Sequence, residues 1–139
     1  LNAKIPAVLL WHFTDVFYHT DLDRIENVSA TTLGHVGACA LTTGLLLADG
    51  TPAVARAALD ELAATAERAL RTQATLSRDT LARGGSREHE QHILDVWGAY
   101  YLGAIDRVPE MVVGPVDLTA AVAAARGRVE RAMLRVKLR

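Results

Sequence analysis

A chain of 139 residues with 15 basic and 16 acidic side chains carries a net charge of −1, which gives no reason to expect nucleic acid or an anionic membrane as its main partner. Its length suits one domain with a real core. The single cysteine, Cys39, excludes an internal disulfide, and its small, apolar neighbours predict a buried thiol behaving as a small hydrophobe. No apolar run reaches membrane-spanning length, ACALTTGLLLA being too short, and no charged and apolar leader stands at the start. Because the chain opens on leucine, an upstream segment, a signal peptide included, is expected to be missing, and the compartment stays open. Arginine outnumbers lysine 13 to 2, the bias of a GC-rich bacterial coding sequence.

In chain order, IPAVLLWHF at 5–13 is a short continuous apolar run with a proline near its start, the pattern of a strand buried on both faces. The stretch TDVFYHTDLDRIEN has no period and reads as a loop with turns at Asp21 and Asp23. From Ser29, a candidate N-cap, Leu33, Val36, Gly37, Ala40, Leu41, Gly44, Leu45 and Ala48 recur at helical steps to Asp49-Gly50. Thr51-Pro52 opens a second helix whose face is read as Val54, Ala58, Leu62, Ala66, Ala69, Leu70, Gln73 and Leu76, closing at Gly84-Gly85. A third helix is expected from Ser86, carrying Ile93, Trp97, Tyr100, Tyr101 and Ile105 until Pro109. Asp117 can cap a last helix along Val122, Ala125, Val129, Met133 and Val136.

One strand followed by about four helices makes the chain mainly α as it stands, yet a lone apolar strand needs neighbours for its backbone groups. The expectation is therefore two parts. Residues 1–50 would be the last strand, loop and closing helix of an incomplete α/β domain, and residues 51–139 a helical C-terminal extension.

The ordered run Tyr18, His19, Thr20, Asp23, Ile25 and Val28, between the strand and the helix TTLGHVGACALTTGLLLAD, resembles the C-terminal end of the family 28 zinc metallopeptidases. These are the clan MH aminopeptidases, relatives of glutamate carboxypeptidase. The resemblance covers about the first third of the chain. It implies a three-layer α/β exopeptidase domain that binds two zinc ions and cleaves peptides at their end. Carried over, His19 is a metal ligand through a neutral imidazole nitrogen. Tyr18 is a catalytic residue whose hydroxyl meets the oxyanion, and Asp23 is a carboxylate that orients the ligand or fixes the turn. Phe17 belongs to an aromatic cluster with Trp11, Phe13 and Tyr18, four of the seven aromatic residues, which suits a pocket for apolar substrate side chains. The family's other ligands and its Glu base lie upstream of this strand, and none is recognisable here. The chain alone is thus expected to be inactive, needing the upstream part of the same peptidase, and relatives of this kind are often exported. A helical interaction module that has lost its metals is the alternative, and the C-terminal helices are candidates for contact between copies.

REHEQH carries His89, Glu90 and His92, but the zincin helix needs histidines four apart, so a solvated helix start is the better reading. His12 and His35 read as structural. Arg126, Arg128, Arg131, Arg135, Lys137 and Arg139 face Glu130 alone late in the last helix. They suit its dipole, and aromatic company for nucleic acid is missing.

Overall fold

The computed structural model describes residue 10 and residues 16–138. The predicted strand at 5–13 lies outside the described residues apart from Leu10, as do His12, Trp11 and Phe13. Among the described residues the protein is mainly helical, with no strand. A short 3-10 turn, Ile25–Asn27, precedes α1 (Ala30–Asp49), α2 (Pro52–Ala82) and α3 (Arg87–Arg107). A second 3-10 turn, Val108–Met111, leads to α4 (Thr119–Val136). The chain divides into two compact units, Leu1–Leu46 and Leu47–Arg139.

The helix ends follow from local chemistry. Ser29 Oγ accepts from the Thr32 amide at 3.2 Å, Thr51 Oγ1 from Val54 at 3.3 Å and Ser86 Oγ from His89 at 3.3 Å. Each satisfies a helix-start amide that would otherwise have no partner. Asp117 Oδ1 accepts from the Thr119 amide at 2.9 Å, one residue ahead of the formal cap Leu118. The α2 end is a Schellman closure, with the Gly85 amide donating to the Thr80 carbonyl and the Gly84 amide to Leu81, both at 3.0 Å. Gly84 takes φ 89°, which only glycine adopts readily. Gly50, at φ 50°, is also required, because a Cβ there would meet the Met111 carbonyl oxygen at 2.8 Å.

In the second unit α2, α3 and α4 pack pairwise around one core. Leu59 and Leu70 of α2, Leu94 and Ile105 of α3 and Val129 of α4 are fully buried, each worth roughly 1.5–3 kcal/mol against an exposed position. Ala55, Ala63, Ala66 and Ala74 keep the α2 contact surface shallow, so the neighbouring helices can approach closely. Gly98 serves the same end, since a Cβ there would overlap the Met133 side chain.

Two faces differ from the sequence reading. On α2 the buried set is Ala55, Leu59, Ala63, Ala66, Leu70, Ala74 and Ser77. Leu62 and Ala69 are half-buried, and Leu76 is exposed. The core direction is turned by about one residue because alanines at close approach count for more than a larger side chain at the flank. On α3 the core takes Leu94, Gly98, Tyr101 and Ile105, while Trp97 and Tyr100 stay 41% and 64% exposed.

No residue of α1 is buried. Cys39, expected in a core, is exposed there. Among the described residues α1 is the one helix whose length and composition would let it cross a membrane. An export signal near an N-terminus meets the same measure, so one such helix is weak evidence of a span.

Candidate functional site

The site residues read from sequence all lie in the first unit, in the loop before α1. Phe17, Tyr18, His19 and Thr20 form a tight turn in which the Thr20 amide donates to the Phe17 carbonyl at 2.9 Å. His19 has φ 61°, the one non-glycine positive φ among the described residues, and Tyr18 before it does not share it. That is the type II pattern, with the left-handed residue third. Histidine is among the residues that tolerate this region better than most, at a strain of roughly 1–2 kcal/mol.

Several contacts hold the turn. Thr20 Oγ1 donates to the Phe17 carbonyl at 2.6 Å and accepts from the Leu22 amide at 3.2 Å. The Tyr18 and His19 rings lie 3.8 Å apart between centroids, tilted by 40°. Downstream, Arg24 Nε donates to the Asp21 carbonyl at 2.7 Å and Asn27 Nδ2 to the Leu22 carbonyl at 2.8 Å, folding the loop onto itself before the helix. The Asp23 amide donates to the Thr20 carbonyl at 3.2 Å, so Asp23 belongs to the same turn chain.

Phe17 and Asp23 line one cleft of about 350 Å³, together with Arg24, Asn27, Val28 and Leu33. Tyr18 and His19 are not among its lining residues; they are an exposed pair of tilted rings. Thr20 stands in the run Tyr18-His19-Thr20 read from sequence but without a role assigned to it, and Arg24 and Asn27 were not singled out. Their signal is a threonine and an asparagine bracketing a Pro-free turn, a pattern too common to mark a site.

No family model, curated protein or solved structure matches this chain. The chemistry must therefore be weighed on the residues themselves. A catalytic zinc takes three protein ligands, and among the described residues no group of three or more His, Cys, Asp and Glu comes together to hold a metal ion. The described residues thus do not make a zinc centre on their own. They offer one exposed imidazole on a stiff turn.

The remaining sequence candidates resolve into structure. His89 opens α3 under the Ser86 cap, and Glu90, expected in a solvated helix start, is buried. Of the cations on α4, Arg126 Nη1 meets both Asp106 carboxylate oxygens, at 2.6 and 2.5 Å. Arg128 forks onto Glu67, Nε to Oε1 and Nη2 to Oε2, both at 3.1 Å. The hydrogen bond from Arg128 holds the Glu67 carboxyl below the usual carboxylate range, and the charges of Arg71 and Arg135 act the same way.

Proposed function

We propose that the first unit supplies one metal ligand to a two-zinc exopeptidase of the aminopeptidase kind, acting on peptides, and that the chain is inactive without the rest of that site. In this reading His19 binds a zinc ion through a neutral ring nitrogen, and Tyr18 donates its hydroxyl to the oxyanion of the reacting carbonyl. Phe17 is an apolar wall for the substrate side chain, and Asp23 fixes the loop that carries the ligand. The observation that carries the proposal is the ordered run Tyr18-His19-Thr20 with Asp23, whose histidine is held in a left-handed turn with its ring exposed. Strain of this kind clusters at functional sites, which supports a role beyond an ordinary loop histidine.

The test is zinc content and leucyl-anilide hydrolysis of the parent polypeptide beside its His19→Ala variant. Loss of about one of two zincs together with activity is expected. Tyr18→Phe should keep the zinc and KM and lower kcat by about a hundredfold. A second reading, a helical interaction module, is favoured by one observation: the Leu47–Arg139 unit closes a core of its own. Absence of zinc and hydrolysis in the parent polypeptide would favour it.

A further inference from the structure

The cations of the second unit are not alike. Arg68, Arg107, Arg126 and Arg128 each meet a carboxylate, whereas the other described cations of the unit form no ion pair, Arg71, Arg78, Arg135 and Lys137 among them. The fold brings these four together. Arg71, Arg78 and Arg135 line a cleft of about 350 Å³ between α2 and α4, and Arg78, Arg135 and Lys137 line an adjoining one of about 620 Å³. Arg78 and Arg135 are common to both, so the two form one trough. The acid in its wall, Glu67, is held by the Arg128 fork and also feels the charges of Arg71 and Arg135, so one carboxylate is shared among three cations.

Helix dipoles account for Arg135 and Lys137 near the end of α4, but Arg71 lies well inside α2, beyond the reach of its last turn. Like charges converging on one cleft repel unless an anion answers them. We infer that the trough between α2 and α4 is a binding site for a phosphate ester or polyphosphate, gripped by Arg71, Arg78, Arg135 and Lys137. Guanidinium forks match phosphate oxygens in pairs, and several cations suit a group carrying two or more charges better than a single carboxylate. Leu81, Leu134 and Leu138 border the Lys137 end, with Leu134 74% exposed, so the organic part of the ester has an apolar surface to lie on. Among the described residues no aromatic ring lines either cleft, which disfavours stacked nucleic-acid bases.

The test is calorimetric titration at fixed ionic strength, with inorganic pyrophosphate and, separately, with phosphatidylcholine vesicles containing or lacking phosphatidic acid. The proteins are the full chain, an Arg78→Gln/Arg135→Gln variant and an Arg87→Gln control from the start of α3. One-to-one pyrophosphate binding, weakened roughly a hundredfold in the double variant and unchanged in the control, is expected for a soluble ester. Binding confined to phosphatidic acid vesicles, with the same variant dependence, supports the site with a lipid headgroup as its source. Circular dichroism of the double variant, which should melt no lower than the parent chain once the repulsion is relieved, guards against a folding artefact. If it melts lower, Arg71→Gln and Lys137→Gln singly take its place. Binding to neither probe, binding the variants retain, or equal loss in the control overturns the inference.

Discussion

The backbone at His19 is the residue-scale feature with the sharpest consequence. Its left-handed conformation is held by the two Thr20 hydroxyl contacts and the Tyr18 ring. Glycine occupies that region without a Cβ penalty, whereas alanine keeps the penalty. The Thr20 amide should therefore exchange roughly fivefold more slowly in His19→Gly than in His19→Ala, an effect of about 1 kcal/mol readable by hydrogen exchange. Equal exchange in both would show that the turn is not strained. The motif was legible in sequence, because Tyr-His-Thr is local. The left-handed φ was not, because it depends on hydrogen bonds closing around it.

Packing and ion pairs between elements set the second scale. Leu59 and Leu70 are fully buried on α2, so Leu59→Ala should lower stability by about 2–5 kcal/mol in urea unfolding. Leu76→Ala, on the exposed side of the same helix, should stay within about 0.5 kcal/mol. The Arg128–Glu67 fork ties α4 to α2, and a double-mutant cycle on the pair should return a coupling of about 1 kcal/mol. Since Arg128 lowers Glu67 from its ordinary value of 4.5, the pair stabilises the fold above that pH. That stability is lost as pH falls through the lower folded value. Acid unfolding of Glu67→Gln should accordingly be shallower over that window than that of the parent chain. Helix limits were readable from Thr51-Pro52, Gly84-Gly85 and Ser86, since caps act on their own turn. Ala66 and Leu70 of α2 and Tyr101 and Ile105 of α3 were read into the core as found, but Val54, Ala58, Leu62 and Leu76, and Ile93, Trp97 and Tyr100, lie beside it, since both helices are apolar over more than one flank.

At the scale of the whole molecule, the two units differ in what they bury. The Leu47–Arg139 unit has a continuous core, whereas α1 buries no residue among those described. Residues 47–139 expressed alone should therefore unfold cooperatively, within about 1 kcal/mol of the same transition in the full chain. In the full chain the α1 amides should exchange far faster than those of Leu70 and Ile105. Substituting Leu41 and Leu45 with serine should leave bundle stability unchanged and reduce self-association, as removal of an exposed apolar stripe does.

The sequence by itself determined the mainly helical class and the limits of four helices, whereas it put the turns of the loop at Asp21 and Asp23 and not at His19. Those limits depend on a few neighbouring residues, through caps and glycines. Tertiary structure alone decided which flank of each helix is buried, that Cys39 is exposed, and which arginines are neutralised. Arg126 and Arg128 find carboxylates 20 and 61 residues away in sequence, and Arg71 and Arg135 line one cleft only because α2 and α4 pack side by side. Charge balance over the whole chain is near zero, but electrostatic energy falls with distance in space, and spatial distance is what a linear reading lacks.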